Sequence, residues 1–286
     1  LAGLQLLFKD NSSALSIKRN AFMKLIADNL RITKQEIHKA LKDLDPEPIQ
    51  DLVKLCVQKG ANAIDVNTGP LGKSPEKGMA FFIRAVESVT DLPLLIDTSN
   101  PAAMEAGLKI AKNRVIINGF SLEPLKLERI LSLAKEYNVD IVGFLLYPGS
   151  RVPKDEAQRC EIAIELFERA EKAGVAKEKI IIDPVVPPLA WEDGIVQARA
   201  VLNVIQMLPD LLGFKVQTIA GVSNLTTGAK DRIKKNIVEQ SYMAMLAGAG
   251  LNYALLDILN CQTVAFARTS AILAQETLFS WEMIPG

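Results

Sequence analysis

From residue 21 onward the chain alternates between two hydrophobic textures. Short runs rich in Val, Ile and Leu show no in–out alternation, and longer segments between them place apolar residues at helical spacing. The runs are a strand near 22–27 that ends at Asp28 and Asn29, then AIDVN, LLIDT, VIIN, DIVGFLLYP, IIIDP, FKVQTIAG and ALLDIL. Strands without alternation are buried on both faces, as parallel strands covered by helices are. Eight such runs separated by helical segments predict a (β/α)8 TIM barrel, a fold of about 250 residues. An open doubly wound sheet would carry a glycine-rich phosphate turn after an early strand. AIDVNTGPLG has glycines, but neither the G-x-G-x-x-G spacing nor a GK[ST] ending. The barrel is assigned to residues 21–286, and residues 1–20, with LQLLF at their centre, to an N-terminal extension.

Local signals mark several helix ends. Residues 32–61 read as one helical segment, opened by a Thr33/Glu36 capping box and closed at Gly60. Pro101 suits a first helical turn. The segment NIVEQSYMAMLAGAG supplies the helix before the last strand.

The candidate chemistry sits where the strands stop. LLIDTSN, AIDVNTGP, VIINGFS, IIIDPVVPP and QTIAGVSN each carry an apolar run into an Asp or Asn. In a barrel of this type the binding and catalytic groups lie at the C-terminal strand ends and in the loops that follow. Asp65, Asn67, Asp97, Asn100, Asn118, Asp183, Ser223, Asn224 and Asp257 should therefore converge on one mouth. For any one of them, capping a helix or closing a turn is an equally ordinary role.

Composition narrows the choice. Lys+Arg and Asp+Glu both number 33, so no basic surplus argues for nucleic acid or anionic membrane. Cys56, Cys160 and Cys261 are widely spaced and lack zinc-type pairing, which fits buried thiols in a reducing compartment. No apolar run reaches the roughly 20 residues of a membrane span, and the start of the chain has no basic region of a signal peptide. The chain reads as soluble and cytoplasmic. Its single histidine, His38, lies on a helix, so a histidine-based triad or a histidine-ligated metal site is not expected, and no metal is assigned. Lys215 lies in a strand, without a clear Schiff-base setting. Asp97 and Asp183 would suffice by count for glycoside hydrolysis, but aromatic residues, the usual sugar platforms, make up only 6 % of the chain. Buried carboxylates and amides without a nucleophile suit a planar, nitrogen-rich heterocycle. A carboxylate accepts two parallel N–H bonds from an amino-pyrimidinone edge, and Asn both donates and accepts.

Asp97 in IDTSN, Asn118 in IIN, the IDP at 182–184 and GVSN at 221–224 resemble the pterin-binding barrel group. The order DPEPIQ, AIDVNTGP, IDTSN, AGLK, NRVIIN, PKD, IIDP, GVSN is similar to that of the methyltetrahydrofolate:corrinoid protein methyltransferases, from about residue 21 to the end. The resemblance implies a homodimer with tetrahydrofolate or 5-methyltetrahydrofolate in the barrel mouth, and a separate corrinoid protein, carrying cobalamin, docked over it. It implies that Asp97, Asn118 and Asp183 bind the pterin ring, with Asp65, Asn67 and Ser223 beside them, and that Asn224 hydrogen-bonds near N5 as the catalytic donor. ADNL at 27–30 and FLLYPGSRVPKD after the fifth strand depart from the family pattern. The expected reaction moves a methyl group between corrinoid cobalt and N5, with the cofactor carrying the difficult chemistry. Its direction is open: methylcorrinoid to tetrahydrofolate in anaerobic demethylation, favoured mildly by the divergent fifth loop, or the reverse in acetyl-CoA synthesis. Tetrahydromethanopterin could replace the folate. Alternatives are a dihydropteroate-synthase-like enzyme or a non-catalytic subunit that binds the pterin or the corrinoid protein.

Overall fold

A computed structural model describes residues 23–72, 74–275 and 278–284. Eight parallel strands close in sequence order: β1 (Lys24–Arg31), β2 (Ala63–Asn67), β3 (Leu94–Asp97), β4 (Val115–Phe120), β5 (Asp140–Phe144), β6 (Ile180–Asp183), β7 (Gln217–Gly221) and β8 (Tyr253–Leu256). β8 pairs with β1 to complete the expected (β/α)8 barrel. The extension assigned to residues 1–20 lies outside the described residues.

Two apolar layers explain why the strand sequences do not alternate. Ile26, Ala63, Leu95, Ile116, Val142, Ile181, Ile219 and Tyr253, one from each strand, fill the barrel interior. Their neighbours, such as Leu25, Ile64, Ile96, Ile117 and Ile182, pack outward beneath the helices. Both faces are dry, so both phases of each strand are apolar.

The helices follow their strands: α1 (Gln35–Asp43) and α2 (Glu47–Gln58), then α3 (Pro75–Glu87), α4 (Pro101–Ile110), α5 (Pro124–Glu136), α6 (Glu156–Lys172), α7 (Gly194–Leu212), α8 (Arg232–Ala249) and α9 (Cys261–Leu273). α3 shows the packing logic. Met79, Phe82, Ile83 and Val86 follow the three-and-four spacing of one helical face and are fully buried. Asp155, Asp231 and Asn260 cap α6, α8 and α9 through their side-chain oxygens. Of these helices only α7 is long and apolar enough to cross a membrane by length and composition, and 44 % of it is buried within this protein.

Several boundaries differ from the sequence reading. The first strand does not stop at residue 27 but runs to Arg31, which puts Asp28 and Asn29 inside it. The segment 32–61 is two helices, because Leu44 turns left-handed (φ 52°) and Pro46 follows. The Thr33/Glu36 capping box does not form, since Lys34 takes the N-cap position without a side-chain bond. Gly60 does follow the second helix, with φ 82°. α8 begins earlier than expected, at Arg232. Lys215 precedes β7 and is exposed, at the opposite end of the barrel from the mouth. Cys56 and Cys160 are buried, whereas Cys261 is exposed.

Candidate pterin site

Side chains two residues apart on a strand share a face. One step beyond the interior apolar layer, the strands therefore point Asp28, Asp65, Asp97, Asn118, Phe144, Asp183, Gly221 and Leu255 into the barrel mouth. This inward ring contains four carboxylates and one amide but no Lys, His or Cys. Aligned registers place Asn67 beside Asp97, and Asp97 beside Asn118.

The β2–β4 arc is internally bonded. Asn67 donates through Nδ2 to Asp97 Oδ2 at 2.6 Å, and the Asn118 amide also hydrogen-bonds to the Asp97 carboxylate. Burial raises the Asp97 carboxyl to about 6, against the opposing pull of the Arg31 charge and the Asn118 bond. Asp65 lies deeper, within β2 rather than at its end. It is 1 % exposed, and its Oδ1 has no hydrogen-bond partner among the described residues. Burial first, then the nearby Asp97 charge, raise its carboxyl well above the usual range. Beside this arc β4 needs a glycine. A Cβ at Gly119 would collide with the Val142 carbonyl oxygen, at the point where the β4–β5 register slips.

Asp183 ends β6 on the far side of the mouth. Its Oδ1 accepts the Val185 backbone N–H at 2.8 Å, a bond that offsets only part of a burial effect raising its carboxyl to about 7. The turn is tight enough to hold Val185 at φ 63°, a conformation that β-branched residues avoid. Arg159, fully buried on α6, donates from Nε to the Pro184 carbonyl at 3.1 Å and braces this turn from behind.

Asn224 is held differently. It is exposed on a 3₁₀ turn, Val222–Thr226, that follows β7 directly. A Cβ built on Gly221 would lie 3.3 Å from Asn224 Nδ2. The inward position at the top of β7 thus lacks a side chain, and the Asn224 amide occupies the space over it.

Two other expected members of the ring, Asn100 and Asp257, make structural bonds, and Ser223 faces elsewhere. Asn100 caps α4, accepting from the Ala102 N–H at 3.0 Å and donating to the Pro70 carbonyl. Asp257 accepts from Asn29 Nδ2 at 2.6 Å and from the Leu259 N–H. Ser223 lines a separate cavity toward α8 and α9. Sequence reasoning missed Arg31, whose guanidinium pairs with Asp28 and lowers both Asp97 and Asp65. A signal existed: Asp28 stands two residues after the inward Ile26, and Arg31 three further on. Arg159 had none, being one charge among many on an amphipathic helix.

A family model described as pterin binding enzyme matches residues 30–255. The chain belongs to that family. Among curated proteins, this pterin binding enzyme is 23 % identical over 261 residues to a methylcorrinoid:tetrahydrofolate methyltransferase of Eubacterium limosum, covering 90 % of this chain and 93 % of the relative. That likeness bears out the resemblance drawn from the motif order. A methionine synthase of Mycobacterium tuberculosis is 22 % identical over 231 residues, 74 % of this chain but only 18 % of that protein. Among solved structures, a dihydropteroate synthase from Thermus thermophilus superposes with a TM-score of 0.62 at 18 % identity, covering 91 % of this chain and 97 % of that one. At that identity the likeness concerns the fold.

Proposed function

We propose that this pterin binding enzyme is a methyltransferase that moves a methyl group between a corrinoid carried by a partner protein and N5 of tetrahydrofolate. The observation that carries the reading is the Asn224 amide over side-chain-free Gly221, at the same mouth as Asp97, Asn118 and, on the adjacent strand, Asp183. The ring suits the N–H-rich edge of a pterin, because carboxylates accept its paired donors and Asn118 matches a donor–acceptor pair. Asp65, below it, offers one more polar contact to the bound ring through Oδ1, which has no hydrogen-bond partner among the described residues.

A corrinoid on the partner would supply the methyl group as co-substrate and keep the bonding electron pair on its cobalt, and the N5 proton would leave to water. The chain itself positions and polarises. Asp97, Asn118 and Asp183 fix the ring so that N5 lies under Asn224. Charge on N5 changes as the methyl joins or leaves, and a hydrogen-bonding amide placed there stabilises that transition state. Asn224 does not titrate, so the proton passes through water rather than through this side chain.

The direction we favour is methylcorrinoid to tetrahydrofolate, as the name of the Eubacterium limosum relative states for that protein. Anaerobic O-demethylation is the setting we assign to it. The dihydropteroate-synthase reading has only the likeness of fold. Exposed apolar residues on α7 (Ile195, Val196, Met207) and α8 (Ile233, Ile237) support a homodimer through these helices, which light scattering of the purified protein would detect.

The deciding experiment is an anaerobic absorbance assay with free methylcob(III)alamin and tetrahydrofolate. Enzyme-dependent growth of the cob(I) band is expected. Calorimetric titration with 5-methyltetrahydrofolate accompanies it. Binding without turnover would point to a required partner or a non-catalytic subunit, and no binding would remove the pterin reading.

A further inference from the structure

Beside the mouth, a cavity of about 270 Å³ opens between the 3₁₀ turn, the first turns of α8 and the start of α9. Ser223, the neighbour of Asn224, forms part of its wall. Arg232, Lys235 and Asn236 face it from α8, and Asn260 and Thr263 from the start of α9. Thr263 is 3 % exposed, and its Oγ1 is buried without a hydrogen-bond partner among the described residues. Buried hydroxyls are nearly always paired, so one left unpaired on a residue that lines a cavity is a donor in reserve for a ligand atom.

The charges around the cavity are unequally engaged. Glu239 accepts from Thr226 Oγ1 at 2.5 Å, and Asp257 from Asn29 at 2.6 Å. Arg232 makes no ion pair among the described residues, and Lys235 reaches Glu239 only at 3.7 Å. Asn236 gives its carbonyl to Asn260 at 3.2 Å, which leaves its amide N–H groups as donors. The groups still available are therefore mainly donors, two of them cationic. They complement an anionic acceptor.

We propose that this cavity binds the carboxylate end of the pterin substrate's side arm, the glutamate of a tetrahydrofolate-type ligand. The inference rests on the pterin reading above. The arm is attached at C6, the ring atom next to N5, so a ring held with N5 at Asn224 sends its arm past Ser223 toward α8. The glutamate carboxylates then meet Lys235 and Arg232, and the Thr263 hydroxyl donates to an oxygen deeper in the cavity.

The test compares tetrahydrofolate with 6-methyltetrahydropterin, which has the ring but no arm, by anaerobic calorimetry; p-aminobenzoylglutamate alone is the third probe. Wild-type protein should bind tetrahydrofolate at least about tenfold tighter than the armless ring, the effect of a charge-assisted hydrogen bond. Thr263→Val and Lys235→Met should lose most of that preference and bind 6-methyltetrahydropterin as wild type does. Thr263→Val should keep its melting temperature, because the hydroxyl it removes has no partner among the described residues; a purely structural hydroxyl would show the opposite pattern. Weak binding of p-aminobenzoylglutamate that competes with tetrahydrofolate, and is lost in Lys235→Met, would place the arm directly. Equal wild-type affinity for ring and substrate, or an unchanged ratio in both variants, overturns the cavity assignment while leaving the pterin reading intact. Failure of both pterins to bind the wild type overturns the pterin reading, and this inference with it.

Discussion

Strands β2 to β6 and the turn after β7 face the same mouth, yet they hold their polar groups by different means. Asp97 and Asn118 lie in the sheet ladder and are bonded to each other, with Asn67 as a third partner. Asp183 is clamped by the Val185 N–H and backed by Arg159. The Asn224 amide is exposed and makes no hydrogen bond among the described residues. The anchors are thus fixed before any ligand arrives, which lowers the ordering cost of recognition. In the reaction proposed here, Asn224 would be the donor and would be left free to follow N5 between its protonated and methylated forms. One set of polar groups at the mouth is fixed by bonds within the protein, and the other is not.

The largest expected effect comes from removing the adjustable group. Asn224→Ala should lower kcat by roughly 10²–10³ while tetrahydrofolate affinity changes by only a few-fold, measured by pre-steady-state methyl transfer and calorimetry. A loss of affinity as large as the loss of rate would make Asn224 an anchor and erase the contrast. Asp183→Ala should show the converse, weakening pterin binding by about ten- to a hundredfold, the value of a charged hydrogen bond, with kcat at saturation much less affected. A pure kcat defect there would reverse the assignment.

The pH dependence sharpens the same comparison. Burial holds the free Asp183 carboxyl near 7 and Asp97 near 6, so both are protonated in mildly acidic solution. A pterin edge that donates N–H groups needs the ionised forms, so binding releases protons. Affinity should rise with pH through 6 to 7 and then level, with proton release visible in calorimetry across buffers of different ionisation enthalpy. Asp183→Asn should remove the upper part of that rise. For folding the sign is opposite. A carboxyl raised above its unfolded value favours the neutral form in the folded state, so its contribution to stability is full in acid and is lost as pH climbs through about 7. A flat binding profile would mean that the ring is held by neutral groups.

The smallest effect concerns the space under the donor. Gly221→Ala places a Cβ 3.3 Å from Asn224 Nδ2, close enough to push the amide by a few tenths of an ångström. A drop in kcat of roughly three- to tenfold with unchanged pterin affinity is expected. An unaffected kcat would show that the amide has slack there.

Most of the anchor half was legible in the chain, because strands report their environment locally. LLID, VIIN and IIID are apolar in both phases until a polar residue appears, and that break marks where the barrel interior meets solvent. The same reading misjudged residues whose role depends on turns. Asn100 and Asp257 resemble Asp97 and Asp183 in local sequence, yet one caps α4 and the other holds Asn29. Leu44 was read as helix interior, but it takes the left-handed conformation that ends α1, and Pro46, two residues on, opens α2.

What the sequence determined by itself was therefore periodic: eight doubly buried strands, their order, and the level at which their polar ends stand. Those features follow from hydrophobic burial at consecutive strand positions, on both faces at once, which is a short-range rule. The tertiary structure decided which polar group faces what. It turned Ser223 toward the α8–α9 cavity and Asn224 over Gly221, although the two are adjacent. It also brought Arg31 to the Asp65–Asp97 pair and Arg159 beneath Pro184. Such placements depend on the path of the closed barrel, which joins residues far apart in the chain and leaves no local imprint on any one stretch.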